Sequence, residues 1–428
     1  MELKTKYQYT YFIYPYLIEE NNYRNYLYKL LKNKKCMLKI FEPQKDTRID
    51  AYFLPELKSK MFWSLNMNGQ GLRDYETMDL NMKATVLSKK YCNVFEYVLD
   101  KDIPAKIGEK NGIFFDINKI EIVCFNTGIC FLLMKTVLDT GVEFADVLNF
   151  NYKFRDIQSK IGHPKEYDNI KIQTQKFDNM QRFSEFLGQL TGKNIEARKI
   201  NLDTDRLITY SYTCLDQESW NETTDMLNLE KEFEKYRSIK PANEQVSDVT
   251  YQRDSVYKEK YLYYGFANNS TVLLTSEANI QNYNELLFEY ENSQLYHFIY
   301  YLHQKVYLNK LNYEIKQAKN FENIKSRFIT FAKADWIYEI TNNLTGTVLD
   351  KYYRKELNLD ETFIRLKSKY DLLYKDYEVN KTNKHNNWLI VIIGFIIIIG
   401  IIKLLFKMGR IIGVQNDYKN RSRYNRSW

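Results

Sequence analysis

Residues 388–406 read WLIVIIGFIIIIGIIKLLF, from Trp388 to Phe406, and carry a single charged side chain, Lys403. At about 1.5 Å of rise per residue, a helix of this length measures about 30 Å, the thickness of a bilayer's hydrocarbon core. Trp388 stands at one end, where an indole suits the headgroup region, and Lys403 near the other, where a long cationic side chain reaches water. The stretch therefore predicts one transmembrane helix over residues 387–408.

Positive charge is concentrated after this stretch. From Lys403 to Trp428 there are seven basic residues and one acidic residue, a net +6 out of +8 for the whole chain. The first 402 residues thus carry only +2. A nucleic-acid-binding protein normally carries a basic face on its folded domain. We therefore expect no direct nucleic acid partner, and we assign the basic tail, residues 409–428, to the surface of a lipid bilayer.

The opening sequence, MELKTKYQYTYFIYPYLIEE, has early acids and no small-residue cleavage site, so it does not resemble a signal peptide. We expect the bulk of the chain in the cytoplasm of a bacterium, anchored in the inner membrane. A basic tail on the far side opposes the positive-inside tendency. Either the short tail crosses regardless, or residues 411–414 fold back into the interface, and the sequence leaves both open.

Proline and glycine divide the rest of the chain in two. All six prolines precede residue 242, and Gly346 is the only glycine between Phe266 and Ile393. Because long helices tolerate neither residue well, this shift predicts a mixed α/β (α+β) domain over residues 1–275 and a helical stalk over residues 276–386.

Strand and turn signals dominate the first part. Apolar, β-branched runs flank Asn126-Thr127-Gly128 between residues 113 and 138, which predicts a hairpin. A second hairpin is predicted around Asn268-Asn269-Ser270, and a separate strand over residues 206–215. Helical patterns over residues 144–157 and 179–190 alternate with these strands, so the domain is expected to be mixed α/β.

Two apolar stripes with steps of three and four mark the predicted stalk. The first comprises Leu295, Ile299, Leu302 and Val306; the second comprises Phe363, Leu366, Tyr370, Leu373 and Tyr377. Such a stripe packs either inside its own domain or against other copies of the chain. Since the second stripe ends close to the predicted membrane helix, where few intrachain partners exist, we favour a seam between the subunits of a homo-oligomer.

Catalytic and metal-binding patterns are missing from the sequence. The five cysteines show no C-x-x-C spacing, the four histidines are scattered, and no Gly-rich phosphate loop is complete. We therefore predict no catalytic residue, no metal and no enzyme activity. Two binding candidates stand out: Arg155, which could hold a phosphate, and Trp336, which could stack a purine beside Asn342. The alternatives are a surface ion pair for Arg155 and a packed core ring for Trp336.

Four local segments carry a resemblance: residues 113–116 (IFFD), 125–131 (FNTGICF), 150–155 (FNYKFR) and 336–342 (WIYEITN). Together with the layout, they resemble the CorA family of magnesium channels, which are homopentamers, and in particular the divergent CorA-like membrane effectors of type III CRISPR antiviral defence. The resemblance implies an adenine-nucleotide-type second messenger, an adenosylmethionine–AMP conjugate, bound by the cytoplasmic part.

The favoured hypothesis is a ligand-gated membrane effector or ion channel that assembles as a homo-oligomer, a pentamer if it follows CorA. One face of the span, with steps of three and four, would then line the pore and gate it by dewetting. That face presents Asn387, Val391, Gly394, Ile398 and Ile401. A CorA-like divalent cation transporter is an alternative, although residues 388–406 contain no carboxylate to select a cation. Another is a tail-anchored binding or scaffold protein without a pore.

Overall fold

The structure is a computed structural model that describes residues 3–99, 103–107, 112–157, 171–174, 181–192, 206–246, 255–317 and 321–424. The chain divides into two compact units, Met1–Ile364 and Arg365–Trp428. The first is a mixed α/β unit built on a large sheet, and the second belongs to one long helix.

Within the described residues the strands form one twelve-stranded sheet. They are β1 Thr5–Leu17, β2 Cys36–Leu38, β3 Cys92–Tyr97, β4 Ile103–Ile107, β5 Ile113–Phe125, β6 Ile129–Val137, β7 Lys171–Thr174, β8 Gln181–Arg182, β9 Ile208–Leu215, β10 Val256–Glu259, β11 Leu262–Ala267 and β12 Ser270–Ser276. The order is β10-β11-β12-β9-β1-β6-β5-β4-β7-β8, with β3 also pairing with β5 and β2 with β3. Neighbours are antiparallel except β12 and β9, which are parallel.

Fourteen α-helices are described. They are α1 Glu20–Lys32, α2 Thr47–Tyr52, α3 Pro55–Met61, α4 Gly69–Thr77, α5 Leu80–Ser88, α6 Phe144–Phe154, α7 Phe183–Thr191, α8 Met226–Ser238, α9 Ile280–Asn284, α10 Leu286–Glu289, α11 Leu295–Lys316, α12 Phe321–Thr330, α13 Leu344–Glu356 and α14 Leu359–Tyr424. Trp63–Asn66 forms a 3-10 turn, and Tyr290–Gln294 and Phe331–Asp335 are π-helical.

Alternation along the strands gives the sheet two different faces. On one, Phe12 of β1 packs against the rings of Phe150 and Phe154 of α6. We call this the apolar face, and α1 and α8 also contact it. On the other, the Tyr11 hydroxyl donates to Glu291 in the π-helical segment. We call this the tyrosine face, and α11 also packs on it.

Both predicted hairpins are confirmed. β5 and β6 pair around Asn126-Thr127-Gly128, and β11 and β12 pair around residues 268 and 269. Gly128 has a φ of +80°, and a Cβ there would lie 2.2 Å from the Ile18 carbonyl oxygen, so the turn requires glycine. The predicted strand at 206–215 and helix at 144–157 appear as β9 and α6. Residues 179 and 180 of the other predicted helix lie outside the described residues, and α7 begins at Phe183.

The boundary predicted near Ser276 moves to Ile364, so residues 276–364 of the predicted stalk (276–386) belong to the first unit. The reason is that α11 is buried on almost every side. Its Phe298 ring stacks on Tyr210 of β9 at 5.6 Å, and its Tyr296 hydroxyl donates to Glu121 of β5. The first apolar stripe is thus one side of an inner layer, the alternative that the sequence had left open.

α14 begins inside the first unit, and its residues from Arg365 onward belong to the second. It contains an 18-residue window of mean hydropathy 3.2, none of which is buried. Among the described residues this is the one helix long and apolar enough to cross a membrane. In the second stripe, Phe363 stacks on Phe328 and Trp336 within the first unit. The subunit seam stays a prediction.

Candidate functional site

Arg155 lies at the C-terminal end of α6, with 13% of its side chain exposed. Its Nε is 4.0 Å from Asp156 Oδ1, and Asp156 also lies 2.9 Å from Nε of Arg206. The guanidinium of Arg155 sits 5.7 Å from the centre of the Tyr152 ring. These contacts correspond to the ion-pair alternative.

The Trp336 ring packs against another aromatic ring and against a guanidinium. It stacks on Phe363 at 4.5 Å with an angle of 14°, and the Arg354 guanidinium is 5.0 Å from its centre. A purine would have to displace one of them. Asn342 is exposed, while the next residue, Asn343, caps α13 by accepting a hydrogen bond from the Gly346 amide at 3.0 Å.

The structure does not bring Arg155 and Trp336 together. Arg155 follows α6, which covers the apolar face. Trp336 contacts Phe331, and Phe331 packs on Tyr307 of α11, on the side of the tyrosine face. The two predicted binding residues therefore belong to opposite layers.

A cavity of about 270 Å³ opens on the tyrosine-face side, where α2, α10 with the following π-helical segment, and the start of α13 meet. Arg48, Ala51, Tyr52, Glu285, Glu289, Ser293 and Asn343 line it. A π-helical turn is uncommon and frequently marks a functional position in a helix. We take this cavity as the candidate ligand site.

The cavity wall carries two carboxylates and one guanidinium. In the described part of the chain, Arg48, Glu285 and Glu289 form no ion pair with one another or with any other residue. Burial raises the pKa of Glu289; the neighbouring Gln294 amide and Arg48 oppose the rise, and Glu285 adds to it. The wall thus holds two carboxylates and one guanidinium with no close ion pair among them, and Arg48 offsets part of the charge of Glu289.

A chain of buried polar groups lies behind the cavity wall. The Tyr52 hydroxyl is 2.8 Å from Nδ1 of His297, whose Nε2 lies 2.7 Å from Oδ1 of Asp350. The latter contact does not satisfy the direction of a ring N–H hydrogen bond, so it is a close contact and not a hydrogen bond. Tyr301 also donates to Asp350, at 2.8 Å. Burial raises the pKa of Tyr52 well above its usual value, so its hydroxyl stays protonated.

Gly346 allows these elements to approach each other. A Cβ at this position would lie 2.6 Å from Thr341 Cγ2 and 2.8 Å from the Tyr52 hydroxyl oxygen. Any side chain would push the start of α13 away from α2. Sequence reasoning missed the cavity, but its signal was present: Gly346 is the lone glycine of a long glycine-free region.

The predicted pore-lining residues all fall on α14. Val391, Ile398 and Ile401 are each more than half exposed, Asn387 is exposed and Gly394 lies between them on the same face by spacing. In the described part of α14, none of the apolar 18-residue window is buried.

Among the described residues, no group of three or more His, Cys, Asp or Glu side chains is placed to hold a metal ion. Comparison with family models, with curated proteins and with solved structures gave no match for this chain.

Proposed function

We propose that the protein is a homo-oligomeric membrane effector of the CorA-like type, in which a small ligand bound by the first unit opens a pore formed by α14. The observation that carries the proposal is the 18-residue window of α14, with mean hydropathy 3.2 and no buried residue. A surface this apolar is costly in water and suits lipid or other copies of the same helix. The bulk of the chain would lie in the cytoplasm, on the inner membrane.

A short covalent path between the cavity and α14 supports ligand gating. Asn343 contributes to the cavity wall and caps α13. α13 ends at Glu356, Asn358 turns the chain with a φ of +50°, and α14 begins at Leu359. Arg354 of α13 also pairs with Asp360 of α14. A ligand that prefers one position of α13 would therefore shift the start of α14.

The ligand class and the biological setting rest on the resemblance. CorA-like effectors of type III CRISPR defence imply a nucleotide-type second messenger, an adenosylmethionine–AMP conjugate. Membrane leakage caused by such a messenger would be an antiviral response. The side of α14 that carries Val391, Ile398 and Ile401 is apolar. A pore lined by it would conduct ions only when water fills it, so the resting pore would be closed.

Ion flux from liposomes tests the proposal. The full chain, reconstituted with a reporter for K⁺ and one for Mg²⁺, should release ions when the adenosylmethionine–AMP conjugate is added. The matched control replaces residues 388–406 by leucines but keeps Lys403, so that the anchor remains. We expect this control to bind membranes and to release nothing.

Each other outcome has a defined reading. Equal flux from the leucine variant would contradict a pore lined by the native residues of α14. If the unchanged chain releases no ions, and the leucine variant keeps the effect of the unchanged chain in cells, the protein is a tail-anchored scaffold. Flux of Mg²⁺ alone, without ligand, would instead support the divalent cation transporter.

A further inference from the structure

We infer that the cavity between α2, α10 and α13 binds a small zwitterion that carries an ammonium and a carboxylate, as a free α-amino acid does. The inference rests on the proposed function only in taking this cavity as the ligand site. Four features of the cavity support such a ligand: an acidic wall, a basic rim, neutral polar groups and a limited volume.

The acidic wall consists of Glu285 and Glu289. They lie one helical turn apart, since the Glu289 amide donates to the Glu285 carbonyl at 3.1 Å, and both line the cavity. Two carboxylates on one face of a helix repel each other. Arg48 offsets part of the charge of Glu289 but forms no ion pair with either glutamate, so an ammonium from a ligand would relieve the remaining repulsion.

The basic rim is Arg48, an exposed residue of α2. Its guanidinium lies over the Phe288 ring, 5.4 Å from the centre, which positions the side chain without using its N–H donors in an ion pair. A guanidinium binds a carboxylate with two parallel hydrogen bonds. Arg48 therefore suits the anionic end of a ligand whose cationic end reaches the glutamates.

Neutral polar groups complete the wall. Asn343 uses its Oδ1 as the cap of α13, so its amide NH₂ remains for a ligand. The Ser293 hydroxyl donates to the Glu289 carbonyl at 3.2 Å and can still accept a hydrogen bond. These groups favour a polar side chain over an aliphatic one.

The volume limits the ligand. A cavity of about 270 Å³ holds the equivalent of roughly nine water molecules at about 30 Å³ each. An amino acid of about ten heavy atoms fits this space, whereas the cavity cannot enclose an entire dinucleotide. A nucleotide messenger could place at most one end here.

Binding to the full chain in a neutral detergent tests the inference. L-glutamine, whose amide suits Ser293 and Asn343, should bind and raise the thermal transition, measured by calorimetry. 4-Aminobutanamide, which lacks the carboxylate, and N-acetyl-L-glutamine, which lacks the ammonium, should each bind about tenfold more weakly or worse, since each loses one ion pair; a tenfold loss corresponds to about 1.4 kcal/mol. The remaining standard L-amino acids are tested in the same way.

Two variants and two controls locate the site. Arg48→Gln and Glu289→Gln should each weaken binding by about tenfold. Arg73→Gln and Glu76→Gln, at exposed positions of α4, remove the same two kinds of charge away from the cavity and should leave binding unchanged. The urea midpoint of each unliganded variant shows whether it is folded.

Three results would overturn the inference: no binding of any amino acid at millimolar concentration, equal affinity for glutamine and 4-aminobutanamide, or the same shift with MgCl₂ alone. The first two exclude a zwitterion site, and the third identifies a cation site. Amino acid binding without ion flux would leave the inference intact and contradict the pore. Ion flux driven by the messenger, without binding of any amino acid, would support the pore and contradict the inference.

Discussion

The apolar face and the tyrosine face belong to the same sheet but are covered by different chemistry. On the apolar face, Phe12, Ile122 and Leu132 pack against helices through carbon contacts. On the tyrosine face, two buried hydroxyls bind backbone carbonyls: Tyr9 donates to the Leu287 carbonyl and Tyr212 to the Asn282 carbonyl. The first arrangement tolerates small displacements, whereas the second depends on distances of a few tenths of an ångström.

The tyrosine face also buries complete charges. Glu121 is fully buried, and its Oε1 is 3.1 Å from Lys39 Nζ, 3.4 Å from Lys119 Nζ and 3.2 Å from the Tyr296 hydroxyl. Beside it, Glu291 lies 2.7 Å from Lys135. A network of buried charges of this kind favours one arrangement, because a shifted layer would leave several charged groups without partners. The candidate cavity adjoins this face.

The largest predicted difference between the faces is a loss of stability in mild acid. Burial lowers the pKa of His303 from 6.5 to about 3, and Lys310 adds to the shift. The unfolded chain therefore takes up a proton below pH 6.5 that the folded chain refuses. The stability that the neutral ring contributes is complete above pH 6.5 and is lost as the pH falls towards 3, by about 5 kcal/mol in all.

His303→Phe keeps the ring that stacks on Phe125 at 3.8 Å and removes the titration. It leaves the hydroxyls of Tyr91 and Thr127 without their histidine partner, so we expect a cost of about 2 kcal/mol at pH 7. Urea midpoints from pH 6.5 to 4.5 should then fall less steeply than in the unchanged chain. Parallel curves would show that His303 is not the buried neutral group.

Sequence patterns could predict the parts of the fold that depend on neighbouring residues. Asn126-Thr127-Gly128 predicts its hairpin because the turn needs a positive φ at Gly128. The inner position of α11 could not be predicted in this way. Its polar side chains are buried through partners far along the chain, such as His297 with Tyr52, 245 residues apart.

The candidate site shows the same limit. Arg48 and Glu289 meet at one cavity from distant segments, and neither belongs to a local motif. Trp336 was recognisable as an unusual residue, but its role depends on Phe363 and Arg354, which stack against it only in the folded unit. Apolar periodicity predicts which residues are buried, but it does not predict which polar groups they contact.

The next largest difference concerns two adjacent residues that point to opposite faces, Glu121 and Ile122. Burial alone would raise the pKa of Glu121, but Lys119 and Lys39 overcome it and hold the pKa at about 2. Its contribution is therefore complete above pH 4.5 and is lost as the pH falls towards 2. Glu121→Gln should cost about 3 kcal/mol at pH 7, because two ammonium groups lose their buried counter-charge.

Ile122→Val is the matched control, since it removes one methylene group from the apolar face at the next position. It should cost about 1 kcal/mol at every pH. Acid titration of the urea midpoint between pH 4.5 and 2 distinguishes the two: the Glu121→Gln curve should approach that of the unchanged chain as the pH falls. A constant offset for both variants would mean that Glu121 is not charged in the folded protein.

The smallest difference tests a single hydroxyl. Tyr210 stacks on Tyr290 at 4.2 Å and donates to the Tyr290 carbonyl at 2.8 Å, where the π-helical segment begins. Tyr210→Phe keeps the stack and leaves that buried carbonyl without this donor, so we expect a loss of about 1 kcal/mol and faster amide exchange across Tyr290–Gln294. Tyr14→Phe makes the same change on the apolar face, where no hydrogen bond of that hydroxyl is found in the described chain, and should alter stability by less than about 0.5 kcal/mol. If the two variants behave alike, the hydroxyls of the tyrosine face do not fix the π-helical turn, and the cavity beside it depends on packing alone.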